Sequence, residues 1–125
     1  MKELTKAEEQ VMHILWDLGK GFVNDIIEIM PEPKPAYNTV STIVRILESK
    51  GYVDHKAYGK THEYIPLISK EQYTRGFMKG FINRYFSNSY KNMVSFLTEN
   101  ENLSVTEMEE IVEMLNQQLK VQKKK

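Results

Sequence analysis

The sequence predicts a mainly α-helical chain carrying a single small β hairpin, and three observations predict it. Residues 36–50 place Val40, Ile43, Val44 and Leu47 at i, i+3, i+4, i+7, the apolar stripe of an amphipathic helix. Gly51 then opens two short strand-like runs around Gly59, while two further helical stretches precede residue 36. After residue 68 the composition changes to long helices with aromatic and aliphatic faces. Helix, helix, turn, helix, hairpin is the winged form of the helix-turn-helix unit, and the trailing segment reads as an α-helical dimerisation domain.

The elements follow in order. Thr5 with Glu8 three positions later is a capping box, because the hydroxyl and the carboxylate can satisfy each other's backbone N–H. It opens a first helix with Ala7, Val11, Ile14, Leu15 and Leu18 as its buried stripe, ended by Gly19 and Gly21. Phe22-Val23 is a short strand, and Asn24 caps a second helix with Ile26, Ile27 and Met30 on its apolar side. Pro31, Pro33 and Pro35 each fix φ and restrain the preceding residue, so this stretch is a turn that delivers the third helix.

Beyond the hairpin, Ser69 to Gln72 is a second capping box. It opens a helix with Tyr73, Phe77, Phe81, Tyr85 and Phe86 along one side. A break falls at Asn88-Ser89, followed by a short helix with Met93, Val94, Phe96 and Leu97. Ser104 to Glu107 is a third box, opening a final helix with Met108, Ile111, Val112, Leu115 and Leu119 on one face. A small winged unit cannot cover so many apolar residues, so these helices pack against a second copy. The divisions expected are residues 1–68 for the winged unit, 69–122 for the helical dimerisation domain and 123–125 for a disordered basic tail.

Composition bounds the function. At 125 residues, 41% of them hydrophobic, the chain supports one ordinary domain, or one small domain plus an oligomerisation segment. No apolar run approaches the roughly 18 residues of a membrane span. The opening MKELTKAEEQ is too polar for a signal peptide, so the expected location is cytoplasmic. Zero cysteines remove disulfides, thiolate zinc sites and thiol catalysis. There is no phosphate-binding glycine loop, no His-Glu-x-x-His and no nucleophile elbow, so no enzyme and no cofactor is expected. His55 and His62 face each other across the hairpin, but without a third ligand they make no metal site.

The third helix carries the candidate chemistry. Asn38, Ser41, Thr42 and Arg45 share another face of the helix, and they are side chains that can reach base edges in a major groove. Tyr37, Lys56, Tyr58, Lys60 and Thr61 are placed for the DNA backbone. Formal net charge is zero, which also suits a winged fold used as a protein-interaction adaptor. Between Lys34 and His62, however, five cations (Lys34, Arg45, Lys50, Lys56, Lys60) stand against two acids (Glu48, Asp54). A third reading makes the aromatic helix the lining of a small-ligand cavity. The dimer reading instead uses Phe77, Phe81, Tyr85, Met108, Ile111 and Leu115.

The chain resembles the penicillinase and methicillin-resistance repressors (BlaI/MecI type), a family of bacterial winged-helix regulators. The resemblance rests on Thr5, Ala7, Glu8, Val11, Met12, Ile14, Leu15 and Trp16, on the run Asn38-Thr39-Val40-Ser41-Thr42, and on Lys50-Gly51-Tyr52-Val53 leading into the hairpin. It implies a homodimeric transcriptional repressor on a palindromic operator, with base contacts at Asn38, Thr39, Ser41 and Thr42 and wing contacts from Lys56 to Thr61. The family often has Lys or Arg where this chain has Asn38 and Ser41, which implies a different operator. Induction by a membrane sensor of β-lactams, with cleavage of the repressor, maps to Ser95-Phe96, where well-known members have Asn-Phe. The copper-responsive branch uses C-terminal cysteines, and this chain has none.

Overall fold

A computed structural model describes residues 2–125. Nine elements follow one another: α1 (Lys6–Leu18), β1 (Gly21–Phe22), α2 (Val23–Ile29), α3 (Tyr37–Ser49), β2 (Val53–Tyr58), β3 (Thr61–Pro66), α4 (Lys70–Phe86), α5 (Tyr90–Asn100) and α6 (Val105–Lys123). The predicted mainly helical, winged helix-turn-helix class is what forms, with a three-stranded sheet rather than a bare hairpin. Two compact units divide the chain, one ending at Met78 and the other running from Lys79 to Lys125.

In the first unit the Thr5 box forms as the sequence predicts. Glu8 N–H donates to Thr5 Oγ1 at 3.2 Å, and Thr5 N–H donates back to Glu8 Oε1 at 3.0 Å. Val11, Met12 and Leu15 are wholly buried against Ile26 of α2, Val40, Val44 and Leu47 of α3, and Tyr52. Two members of the expected α1 stripe are exposed, Ala7 and Leu18, and Met12 is buried in their place. Leu18 sits in the final turn, where Gly19 at φ +85° swings the chain away and ends the face.

The second helix starts earlier than Asn24. Phe22 is its N-cap, with its N–H donated to Asp25 Oδ2 at 2.9 Å, and Asn24 lies inside the helix. The reason is the sheet: Gly21 and Phe22 pair with Tyr64 and Glu63, so extended backbone ends at Phe22 and Val23 turns inward as helix. The strands are antiparallel in the order β1-β3-β2, from Val53 opposite Pro66 to Tyr58 opposite Thr61. Gly59, at φ +63°, and Lys60 make the two-residue turn between them, a left-handed conformation that glycine takes without a Cβ clash.

Trp16 packs on this core and donates its indole N–H to Ile68 O at 2.8 Å. Tyr73, in the second turn of α4, tilts against Trp16 at 5.5 Å and donates its hydroxyl to Glu9 at 2.7 Å. The Ser69 box also forms, through Gln72 N–H to Ser69 Oγ at 3.0 Å and Ser69 N–H to Gln72 Oε1 at 2.9 Å.

In the second unit, Ser87 and Asn88 adopt positive φ at 50° and 64° and end α4, one residue ahead of the expected break. Ser104 Oγ accepts from Glu107 N–H at 3.0 Å, the capping half of the third box. Phe81 packs with Tyr85 at 5.0 Å and Phe86 at 5.9 Å, and Phe86 meets Phe96 edge-on at 5.7 Å. Ile82, which the aromatic pattern hides, is the buried residue of α4. At the C-terminus α6 runs to Lys123, and Lys124 and Lys125 N–H close onto Val121 O and Gln122 O. Lysines are good helix formers, and their charge complements the carbonyl end of the helix.

Candidate nucleic-acid interface

Pro35 keeps the preceding chain non-helical, and Ala36 O accepts from Thr39 and Val40 N–H at 3.1 and 3.3 Å to start α3. Three residues then set the helix in place, because Val40, Val44 and Leu47 have no exposed surface at all. With that stripe inward, the 3.6-residue period turns Asn38, Thr39, Thr42 and Arg45 fully outward, and Ser41 to the half-buried edge. Tyr37 is exposed at the first turn. The structure therefore brings all five residues predicted to read bases onto the outward surface of a single helix.

Their donors are not equally free. Thr42 Oγ1 donates to Asn38 O at 2.8 Å, and Arg45 Nε donates to Ser41 O at 3.3 Å, both bonds returning one turn along the helix. Thr42 thus offers outward a methyl group and acceptor lone pairs rather than its hydrogen. Arg45 keeps the two terminal nitrogens of its guanidinium.

Lys56, Tyr58, Lys60 and Thr61 are all exposed around the hairpin tip. Thr61 Oγ1 donates to Tyr58 O at 2.9 Å and closes the turn. Tyr58 is braced by two neighbours: its ring lies 5.7 Å from that of Phe22, and Lys56 Nζ sits 5.4 Å from its centroid. The brace presents an ordered aromatic edge and two ammonium groups at one end of the sheet.

Of the five cations in this region, Lys50 and Lys34 have their ammonium groups held by oxygen acceptors. Lys50 Nζ meets Glu8 Oε1 at 2.6 Å and Glu3 O at 3.0 Å. Lys34 Nζ reaches Glu28 O at 2.7 Å and Met30 O at 2.6 Å, where it covers the carbonyl end of α2. Arg45, Lys56 and Lys60 are the ones left facing solvent. Burial by itself pushes the Glu8 carboxyl up, but hydrogen bonds from Lys50 and Thr5 together with the Lys50 charge outweigh it and hold the group below the usual carboxylate range. Burial raises Tyr64, and the nearby Glu48 carboxylate adds to it.

The Glu8–Lys50 strut escapes a reading of the sequence because its ends are 42 residues apart. So does the bond from the Tyr52 hydroxyl to Lys2 O, which straps the N-terminal segment across the end of α3. Equally unforeseen is the contact from Glu48, in the last turn of α3, to His55 Nδ1 on β2 at 2.5 Å. His55 and His62 do meet, as stacked rings 4.2 Å apart and 9° from parallel.

The residues expected at a dimer contact are found as follows. Phe77, in the first unit, is half exposed. In the second unit Tyr85, Met108 and Leu115 are exposed, and Phe81 and Ile111 are partly covered. Ser95 and Phe96 lie inside α5. Ser95 Oγ donates to Glu99 at 3.2 Å, Ser95 O accepts from Thr98 Oγ1 at 3.0 Å, and Phe96 O accepts from Asn100 Nδ2 at 3.0 Å.

A helix held by its apolar stripe with its polar side outward, followed by a hairpin with a basic tip, defines a winged helix-turn-helix protein. The sequence profile of the penicillinase repressors matches residues 4–117. The chain belongs to that family and is a transcriptional repressor of it, not an enzyme. Among its relatives, the methicillin resistance regulatory protein MecI of Staphylococcus aureus (strain N315) is 31% identical over 115 residues, spanning 91% of this chain and 94% of the relative. The penicillinase repressor of Bacillus licheniformis is 27% identical over 116 residues, 92% of this chain and 91% of the relative. The solved structure of the CopR repressor aligns with 54% of this chain and all of its own length, at 29% identity and a TM-score of 0.45. No described helix is long and apolar enough to cross a membrane.

Proposed function

We propose that the chain is a homodimeric repressor that seats α3 in the major groove of a palindromic operator and steadies its wing on the flanking backbone. The observation that carries this reading is the outward polar face of α3, pinned by the buried Val40, Val44 and Leu47 beside a wing whose exposed cations are Lys56 and Lys60. Asn38, Ser41 and Thr42 read base edges, and Thr39 and Arg45 contact bases or phosphates. Tyr37, Tyr58 and Thr61 join the two wing lysines on the backbone. Two-fold symmetry sets the half-site centres about 10 base pairs, or a multiple of that, apart. The second unit supplies dimer contacts through Phe81, Tyr85, Met108, Ile111 and Leu115, and the first unit supplies Phe77. The exposure of Tyr85, Met108 and Leu115 supports this, since a lone helical unit rarely leaves such a face in water.

Release from the operator is by proteolysis at Ser95-Phe96, driven by a membrane sensor protease or its downstream effector, in cells challenged with β-lactams. The names of the relatives, a methicillin resistance regulatory protein and a penicillinase repressor, support the link to β-lactams, and the cleavage position follows from the family resemblance at Ser95-Phe96. A gel shift against the promoter of the chain's own operon, at two salt concentrations, tests the central claim. Binding that fails to weaken with salt, or that survives loss of both Ser41 and Thr42 side-chain hydroxyls, overturns it. The near-zero net charge favours a second reading, a winged protein-interaction adaptor, and absence of any shift in the same assay selects it.

A further inference from the structure

We propose that Glu48, Asp54 and His55 form a site for a divalent transition-metal ion that clips the last turn of α3 to the first wing strand. This goes beyond the operator-binding reading and does not rest on it. The three residues come from two elements, Glu48 from α3 and Asp54 and His55 from β2. Each offers one ligand atom, and those atoms all lie within 4.8 Å of one another.

Two features separate this cluster from an ordinary histidine–carboxylate pair. Glu48 and His55 Nδ1 already form such a pair, at 2.5 Å, and it needs no further acid. Yet Asp54 brings a second carboxylate to the same imidazole, while its Oδ1 accepts the His55 N–H at 2.8 Å and is thereby fixed in place. Two carboxylates beside one another repel, and the joint is about two-thirds shielded from water at Glu48 and His55. A dication between them removes that repulsion. Ligand bonds of about 2.0–2.2 Å set neighbouring donors of a tetrahedral ion roughly 3.3 Å apart. To admit the ion the Glu48–His55 contact opens by under one ångström, and the wider donor pairs, up to 4.8 Å apart, close by up to about 1.5 Å through side-chain movement.

The donor chemistry chooses the ion. One imidazole nitrogen with two carboxylates suits Zn²⁺, Co²⁺ or Ni²⁺ better than Mg²⁺ or Ca²⁺, which favour oxygen alone. Water completes the coordination, as at other sites with three protein ligands. His62 flanks without ligating: its ring is parallel to that of His55 and 4.2 Å away, so an ion in the plane of one ring lies outside the plane of the other.

The test is calorimetric titration of the untagged full-length chain with Zn²⁺ alone, repeated on His55→Ala and on the milder Glu48→Gln. The expected result is one Zn²⁺ per chain, with affinity reduced more than about a hundredfold in each variant, a loss above the roughly ten- to hundredfold of a supporting residue at a metal site. Circular dichroism checks that both variants fold. Two results overturn the proposal: no heat of binding up to millimolar Zn²⁺, or uptake that is equally tight in both folded variants and so resides elsewhere.

Discussion

Lys50, the residue capping α3, donates to the buried carboxylate of Glu8 at 2.6 Å, so the capping box that starts the first helix also anchors the end of the third. One acid thereby performs two tasks. Its oxygen accepts the Thr5 N–H and also pairs with the Lys50 ammonium. The orientation of α3 is then set at both ends, by hydrophobic burial through Val40 and Val44 and by this strut at its close.

Lys50→Met removes the partner of an acid only 6% exposed. Breaking a buried pair from one side costs about 3–5 kcal/mol. Lys50 keeps 23% of its side chain in water, which brings the expected loss to about 2–3 kcal/mol. Urea unfolding at neutral pH measures it, and a loss within a few tenths of a kcal/mol contradicts the strut.

The same pair sets a pH dependence. The folded-state carboxyl of Glu8 titrates below its ordinary value of 4.5, so its contribution is complete above about pH 4.5 and disappears as pH falls through the lower folded value. Wild type and Lys50→Met should accordingly converge in thermal midpoint as the pH falls below the ordinary 4.5 and through the depressed folded value. Curves that stay parallel through acid would place the depression on another group.

At the interface, the two kinds of contact separate experimentally. Asn38→Ala removes a bidentate donor–acceptor and should cost about 1–3 kcal/mol on the operator while leaving non-specific binding unchanged. Lys60→Ala should weaken every sequence alike and lower the salt slope by about 0.9, one phosphate contact. Thr42→Ala should cost less than Asn38→Ala, because the Thr42 hydroxyl is already donated to Asn38 O. Fluorescence anisotropy across a salt series reads all three.

For the dimer, Leu115→Glu puts a charge on the outward side of α6, where Leu115 is half exposed and makes no core for its own unit. Sedimentation should show a monomer with unchanged helicity, and operator affinity should fall by at least about tenfold as the second half-site contact is lost. A variant that sediments as a dimer moves the contact elsewhere.

What the sequence tells, and what it conceals, divides by distance along the chain. The Thr5 and Ser69 boxes are i, i+3 devices and appear in the letters themselves. The α3 stripe is equally legible, because four apolar residues at helical spacing have one place to go. Asn24 has the right chemistry for a cap and still lies within the helix, because strand pairing at Phe22 decides where the extended chain ends. Ala7 and Leu18 fit the helical period but project beyond the reach of α2 and α3, whose packing only the fold reveals. At the candidate site the outward residues are readable from periodicity. Their hydrogen-bond commitments are not, and neither is the meeting of Glu48, Asp54 and His55, which depends on how the last turn of α3 faces the strand after it.

The position of Ser95 and Phe96 inside α5 has a kinetic consequence. Proteases bind an extended backbone, whereas this bond is coiled within eleven helical residues, with Phe96 resting edge-on against Phe86. If release is by cleavage there, the protease waits for the helix to open, and the speed of induction follows the small fraction of molecules caught unwound. Substitutions that leave Ser95 and Phe96 in place, such as an alanine for Thr98, would then slow the response by favouring the coil of α5. The timing of derepression would be an inherited property of helix stability, adjustable without touching the operator, the sensor or the cut itself.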